Sequence, residues 1–242
     1  MWSKIKKIAK KVWRAAKAVV RVVVRVVITI VNNLTLGLPD LVLGFLSWPR
    51  KRLRLHVFIL PENGVNPDGG EVRVPVVPVQ EAQDAVDNTK RIYKKLFNVE
   101  VLPYSKTFIE VLSDEAPAEL LDYECRVGSE FGEAGEYIAK HLAGWNAVPI
   151  SLTFPVTVFV VRSLKASSAG CSMAVLGEYV VIDHQGLTQF DFIPLPHEIG
   201  HTCSLWHSGT ATNLMHAGPP AGEHAKWFQK NLLRSSRHVQ YW

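Results

Sequence analysis

Three histidines near the C-terminal end of the chain, His197, His201 and His207, constrain its fold more than any other stretch. His197 and His201 are four apart, so on a helix their imidazoles project from one face, a turn apart, as two ligands of one metal ion must. His207 comes six residues later and cannot share that face. For it to join the other two, the chain must turn back. The resulting site offers three nitrogen donors and leaves a fourth position for water, the arrangement of a catalytic zinc ion. Glu198, beside the first ligand, can reach that open position. A bare H-E-x-x-H pattern arises by chance about once in a hundred chains of this length, and requiring the third histidine lowers that about thirtyfold.

Pro194 and Pro196 suit only the first turn of a helix, where amide hydrogens have no intrahelical partner. The metal-binding helix therefore begins close to Pro194, and residues 197–205 are expected to follow without interruption. Upstream, the alternation of Leu53, Leu55, Val57 and Ile59 predicts a strand over 53–60. Asn63-Gly64 and Asp68-Gly69-Gly70 are turn signals before an extended piece at 72–79. Ala82, Val86, Ile92 and Leu96 have helical spacing, which predicts a helix over 81–96. A strand over 99–111 is interrupted at Pro103, a loop and short helix occupy 113–123, and a second amphipathic helix covers 130–142. The β-branched run 149–161 reads as a buried strand and 170–182 as one or two extended pieces, with a tight turn at Gly177-Glu178. Either 172–175 or 179–182 can form a sheet edge lining a cleft, where an extended substrate would add as a strand. Residues 218–222 break the chain before a helix over 223–233.

The run His197-Glu198-Ile199-Gly200-His201-Thr202-Cys203-Ser204-Leu205-Trp206-His207 resembles the metzincin signature, and Met215 stands where that clan of zinc metalloproteases has its methionine turn. The resemblance implies His197, His201 and His207 on Zn2+, Glu198 as the catalytic general base, and Met215 in a structural turn beneath the metal. It implies peptide-bond hydrolysis by metal-activated water. It also implies an α+β fold: a twisted mixed sheet with two or three long helices and a zinc cleft between an upper and a small lower subdomain. Ser204 departs from the pattern. The family has glycine there to leave the helix sharply, and serine can enter that geometry at a cost of about 1 kcal/mol. His216 is given no role.

Charge divides the chain. Residues 1–54 hold thirteen Lys and Arg with Asp40 as the single acid, whereas the remainder holds fourteen bases and twenty-one acids. The net +5 therefore belongs to a basic arm joined to an acidic domain, here divided as 1–50 and 51–242. Within 2–31 the bases Lys4 to Arg25 fall on one side of a helix and Ile5, Ile8, Val12, Ala16, Val19 and Val23 on the other, as in cationic membrane-active peptides. Arg21 and Arg25 interrupt the apolar core that a standard signal peptide needs. The stretch 28–48 contains Asn32, Asn33, Pro39 and Asp40, so a clean transmembrane helix is not expected. Trp2, Trp13 and Trp48 are candidate interfacial anchors. An inhibitory arm would have to place Asp40 on the metal, and the cluster at 50–52 would be an exposed site for proteolysis.

Cys125, Cys171 and Cys203 allow one bridge and a free thiol, or three thiols. Cys203, two residues past His201, points elsewhere on the helix than the ligands do. The chain as a whole is expected to be a secreted or membrane-associated zinc metalloendopeptidase, a toxin or effector acting on protein or peptide. Residues 1–50 are expected to contact an anionic membrane or a delivery apparatus, and nucleic acid is not an expected partner. The competing expectation is a membrane-active cationic peptide fused to a non-catalytic zinc-binding or targeting module.

Overall fold

The computed structural model describes residues 37–126, 132–142, 155–165, 170–172, 179–189, 193–218 and 222–241. The basic amphipathic helix expected over 2–31 lies outside them, as do the turn at 177–178 and residues 173–175 of the candidate edge. In chain order the elements begin with α1 (Leu38–Leu43), β1 (Lys51–Ile59), β2 (Pro61–Val65), β3 (Glu71–Pro75), α2 (Val79–Phe97), β4 (Val99–Pro103) and β5 (Ile109–Val111). They continue with α3 (Ala118–Leu121), β6 (Asp122–Tyr123), α4 (Glu133–His141), β7 (Val156–Val161), β8 (Ser163–Leu164), β9 (Gly170–Ser172) and β10 (Tyr179–Asp183). The last are α5 (His184–Gln189), α6 (Pro194–Thr202), α7 (Trp227–Ser235) and β11 (Val239–Gln240). Among the described residues no helix is long and apolar enough to cross a membrane.

β1 is the centre of the main sheet. One side of it pairs in parallel with β4 and, past the break at Pro103, with β5. The other side pairs with antiparallel β11 and then with parallel β7. Parallel β10 follows β7, and antiparallel β9 lies at the edge beyond β10. The sheet is mixed, as expected, but parallel pairing predominates, a connectivity closer to α/β than to the expected α+β. Parallel strands are covered on both faces, which is why every residue of β7 and β10 is buried and both read as continuous apolar runs.

α2 has the helical spacing read from the sequence, and its apolar stripe from Ala82 to Phe97 is buried. Asn98, in a left-handed conformation at φ 50°, stops it, as a short polar side chain can without the usual cost. Its inner face packs on α6, where the Tyr93 hydroxyl donates to the Pro196 carbonyl at 3.1 Å.

Three expectations need correction. The cluster at 50–52 is not a free linker: Arg50 is exposed, but β1 begins at Lys51, whose side chain is fully buried. Asp40 is not part of the histidine cluster. Its carboxylate accepts from Lys51 Nζ at 2.7 Å and from the Tyr241 hydroxyl at 2.8 and 2.9 Å. The C-terminal helix begins at Trp227 rather than 223, because the Gln229 side chain folds back onto the Lys226 amide at 2.8 Å and caps it there. β11 and α1 gave no periodic signal, being two and six residues long.

The Asp40 contacts belong to a buried polar knot. Lys51 Nζ also donates to the Arg234 carbonyl at 2.5 Å, and the Arg234 guanidinium donates to the carbonyls of Phe97 and Pro49. Burial draws the Lys51 ammonium down to about 8 against the opposing pull of Asp40. Removing one partner strands the other's charge in a dry site. Asp40→Asn is expected to destabilise the fold by about 3 kcal/mol, measured as a shift in the urea unfolding midpoint at pH 7.

Candidate metal centre

α6 starts at Pro194, as its prolines require, and ends at Thr202, three residues short of the expected 205. The cause is Ser204, at φ 67°. Its amide donates to the His201 carbonyl at 2.9 Å and the next amide, Leu205, donates to the Gly200 carbonyl at 3.0 Å. This pair of bonds is a Schellman turn, usually closed by glycine at the residue that serine occupies here. The turn reverses the chain and swings the Leu205 carbonyl under the ring of His201, whose Nδ1–H donates to it at 2.7 Å.

His197 is held in the same way, donating from Nδ1 to the Leu214 carbonyl at 2.8 Å. With Nδ1 protonated in both rings, each Nε2 presents its lone pair. The Nε2 atom of His201 lies 3.1 Å from that of His197 and 3.1 Å from that of His207, and one nitrogen from each of the three rings lies within 4.8 Å of the others. Nitrogens bonded to one tetrahedral zinc at 2.0–2.1 Å would be about 3.3 Å apart, so the cluster fits such an ion closely. Burial lowers the pKa of His197 and, together with the neighbouring rings, pushes His201 down to about 4. Both rings are therefore neutral near pH 7, as ligands must be.

Leu214 can serve His197 because a short turn fixes it. Asn213 accepts from the Met215 amide at 2.9 Å, and its side-chain amide is doubly bonded to that of Gln229 on α7 at 2.9 and 3.1 Å, all of it buried. The Leu214 amide donates to the His224 carbonyl at 2.8 Å. Glu223 next to it is clamped by Arg91 and Lys95 of α2, which drop its carboxyl to about 2. Met215 is fully buried, and a Cβ on Gly200 would stand 2.7 Å from its sulfur. Gly200 is thus the residue that lets the turn close beneath α6. Sequence reasoning passed over Asn213, Gln229, Gly200 and Glu223, whose roles exist only between segments brought together by folding.

Glu198 is buried, and burial raises its carboxyl to about 7 against the opposing effect of a hydrogen bond from the Ser172 amide of β9. A Cβ on Gly170 would come within 2.6 Å of Glu198 Cγ, so the strand passes this closely only with glycine there. Between the two, Cys171 is bridged to Cys125. The edge that lines the site is therefore β9, whereas residues 179–182 are sheet interior. Cys203 is free and buried, its thiol pushed up to about 12, and it is not part of the histidine cluster. His216 faces the Ser208 carbonyl through Nδ1 at 3.2 Å.

No protein-family model matches the chain, and no curated protein matches it in sequence. Among solved structures it is similar to metalloproteinase-II from Bacteroides fragilis, over 76% of this chain and 53% of that one, with 14% identity and a TM-score of 0.48. The chain spans about half the length of that protein. A zinc-dependent peptidase from Methanocorpusculum labreanum aligns over 74% of this chain and 99% of its own at 12% identity and a TM-score of 0.45. Archaemetzincin from Methanopyrus kandleri aligns over 77% and 88% at 14% identity and a TM-score of 0.37. Superpositions this loose say only what the chain is similar to; the chemistry of the site rests on its own side chains.

The strain at Ser204 is directly measurable. Ser204→Gly is expected to stabilise the protein by about 0.5–1 kcal/mol, read as a raised urea midpoint, with the affinity for a divalent metal unchanged. A lowered midpoint would mean that the turn does not carry that strain.

Proposed function

We propose that this chain is a zinc-dependent endopeptidase of metzincin type, secreted or injected as an effector, with a basic arm that contacts anionic membranes. The observation that supports the enzyme most directly is the convergence of three histidine nitrogens beside a buried carboxyl, Glu198. A non-catalytic zinc module would explain the histidines but not Glu198. Burying a carboxyl with little to pair it costs stability, and such groups concentrate where acid–base chemistry is done.

His197, His201 and His207 would hold the ion. Bound there, zinc would supply a water acidic enough to attack near neutral pH and would polarise the scissile carbonyl. A cation beside Glu198 favours its carboxylate form, so the side chain starts as a base. It takes the nucleophile's proton and returns it to the leaving amine, which needs no nucleophilic side chain. The Ser172 amide and the wall formed by Gly170 keep the carboxylate at one height through both transfers. The outer side of β9 is unpaired among the described residues, so an extended peptide can add there as a strand. The Cys125–Cys171 bridge supports an oxidising compartment, in keeping with secretion.

Glu198→Gln is expected to fold and bind one zinc per chain while cleaving a generic protein at least about a hundredfold more slowly. Cleavage at the wild-type rate would sink the assignment. Gly170→Ala separates the positioning of Glu198 from metal binding. It is expected to retain zinc, measured by metal analysis, and to lose about tenfold or more in kcat with KM little changed, because displacement of a catalytic group acts on the transition state.

A further inference from the structure

The segment leading into β1 packs on the face of α7 turned away from the metal centre, and both carry exposed apolar side chains. Gly44 packs so closely on α7 that a Cβ there would lie 2.8 Å from the Asn231 Cα, and one on Gly37 would lie 2.7 Å from the Ser235 carbonyl oxygen. Asn231 also donates from its side chain to the Val42 carbonyl at 3.3 Å. Residues 37–44 therefore run along α7 from its last turn toward its middle, and residues 44–46 stay in contact with it. Phe45, Leu46 and Trp48 of this segment and Trp227 and Phe228 of α7 are exposed, Trp48 by 72% and Trp227 by 65%. A monomeric domain rarely leaves such a group of large apolar side chains together in water.

The charges around this surface select its occupant. Residues 37–54 and 226–241 contain one acid, Asp40, and it is buried in the polar knot. Arg50, two residues after Trp48, and Lys226, next to Trp227, are exposed, and the Lys226 ammonium lies 6.0 Å from the centre of the Phe228 ring. The 36 residues before Gly37 carry nine Lys and Arg and no acid. Covering the surface with that segment, or with a second copy of the same face, would bring cations onto cations. An anionic lipid surface meets both requirements, since it accepts the aromatic side chains at its boundary and neutralises the basic rim.

We propose that this surface is a membrane-docking face of the folded domain, which orients the protein on anionic bilayers and continues the contact made by the arm. The inner side of α7 carries Gln229, which holds the turn of Met215. Docking would place α7 between the bilayer and the metal centre and hold the site at a fixed height above the lipid. The proposal rests on the membrane reading of the arm and adds the folded domain to it.

The test uses the full chain and sedimentation with vesicles, either of phosphatidylcholine alone or of equal parts phosphatidylcholine and phosphatidylglycerol. Trp48→Ser, Trp227→Ser and Phe228→Ser are compared with Val65→Ser, a still more exposed apolar residue on the β2–β3 hairpin. Each of the first three is expected to lower partition onto the anionic vesicles by about tenfold, the scale of withdrawing one aromatic side chain from an apolar phase. Val65→Ser should bind as wild type, and all four should keep the wild-type unfolding midpoint. If the three variants bind like wild type, the docking face is overturned while the arm reading stands; if the wild-type chain itself ignores anionic vesicles, both fall. Unchanged vesicle binding with a lowered midpoint would show the surface covered by the chain itself, and unchanged vesicle binding with loss of a dimer would show it covered by a second copy. Either result overturns the proposal.

Discussion

The metal centre depends on one backbone reversal. Two histidines on a helix can meet a third only if the chain leaves the helix within a turn, and here that exit runs through a serine in left-handed conformation. The same reversal supplies the carbonyl that fixes the ring of His201. Helix end, tautomer and ligand convergence are thus consequences of a single turn. Glycine at 200 then allows Met215 to close in from below, and the carbonyl of Leu214 next to it fixes His197. Each ring that faces the centre from α6 is oriented by the segment after the helix, so the site cannot form before that segment has folded back.

Much of this was legible in the sequence because spacing encodes geometry. The four-residue interval and the two prolines set the helix start, the alternation around Leu55 set the central strand, and the stripe from Ala82 to Leu96 set α2. Ser204 could be singled out because its neighbours define what the backbone has to do there. The rest was not legible, for physical reasons. Asn213 with Gln229, and Glu223 with Arg91 and Lys95, are pairings between polar side chains far apart in sequence, and nothing local distinguishes them from solvated ones. Lys51 looked like part of an exposed basic cluster, yet Asp40, the Arg234 carbonyl and the ring of Tyr241 make its burial tolerable. The choice between two candidate edges needed the strand order, which the pattern of apolar residues in one strand does not contain.

The edge strand ties scaffold to chemistry. β9 is three residues long, too short to hold its place by sheet bonds alone, and the bridge from Cys171 to Cys125 anchors its middle residue. The residues on either side of that anchor are the ones that meet Glu198. A covalent tie is thereby applied next to the contacts that hold the buried carboxyl of Glu198. The buried thiol of Cys203 takes no part in the bridge or in the histidine cluster.

The polar knot around Lys51 also sets where the chain can be cut. Gly37, Asp40 and Gly44 belong physically to the folded body through Ser235, Lys51, Tyr241 and Asn231, although by composition they fall within the basic arm. A protease acting at the basic residues 50–52 would not release an intact domain. It would remove the counter-ion of Lys51 and the backing of α7, and with that the amide pair that steadies the turn beneath the metal. A cut that leaves the knot intact has to fall before Gly37, within the stretch whose only charged side chains are lysine and arginine.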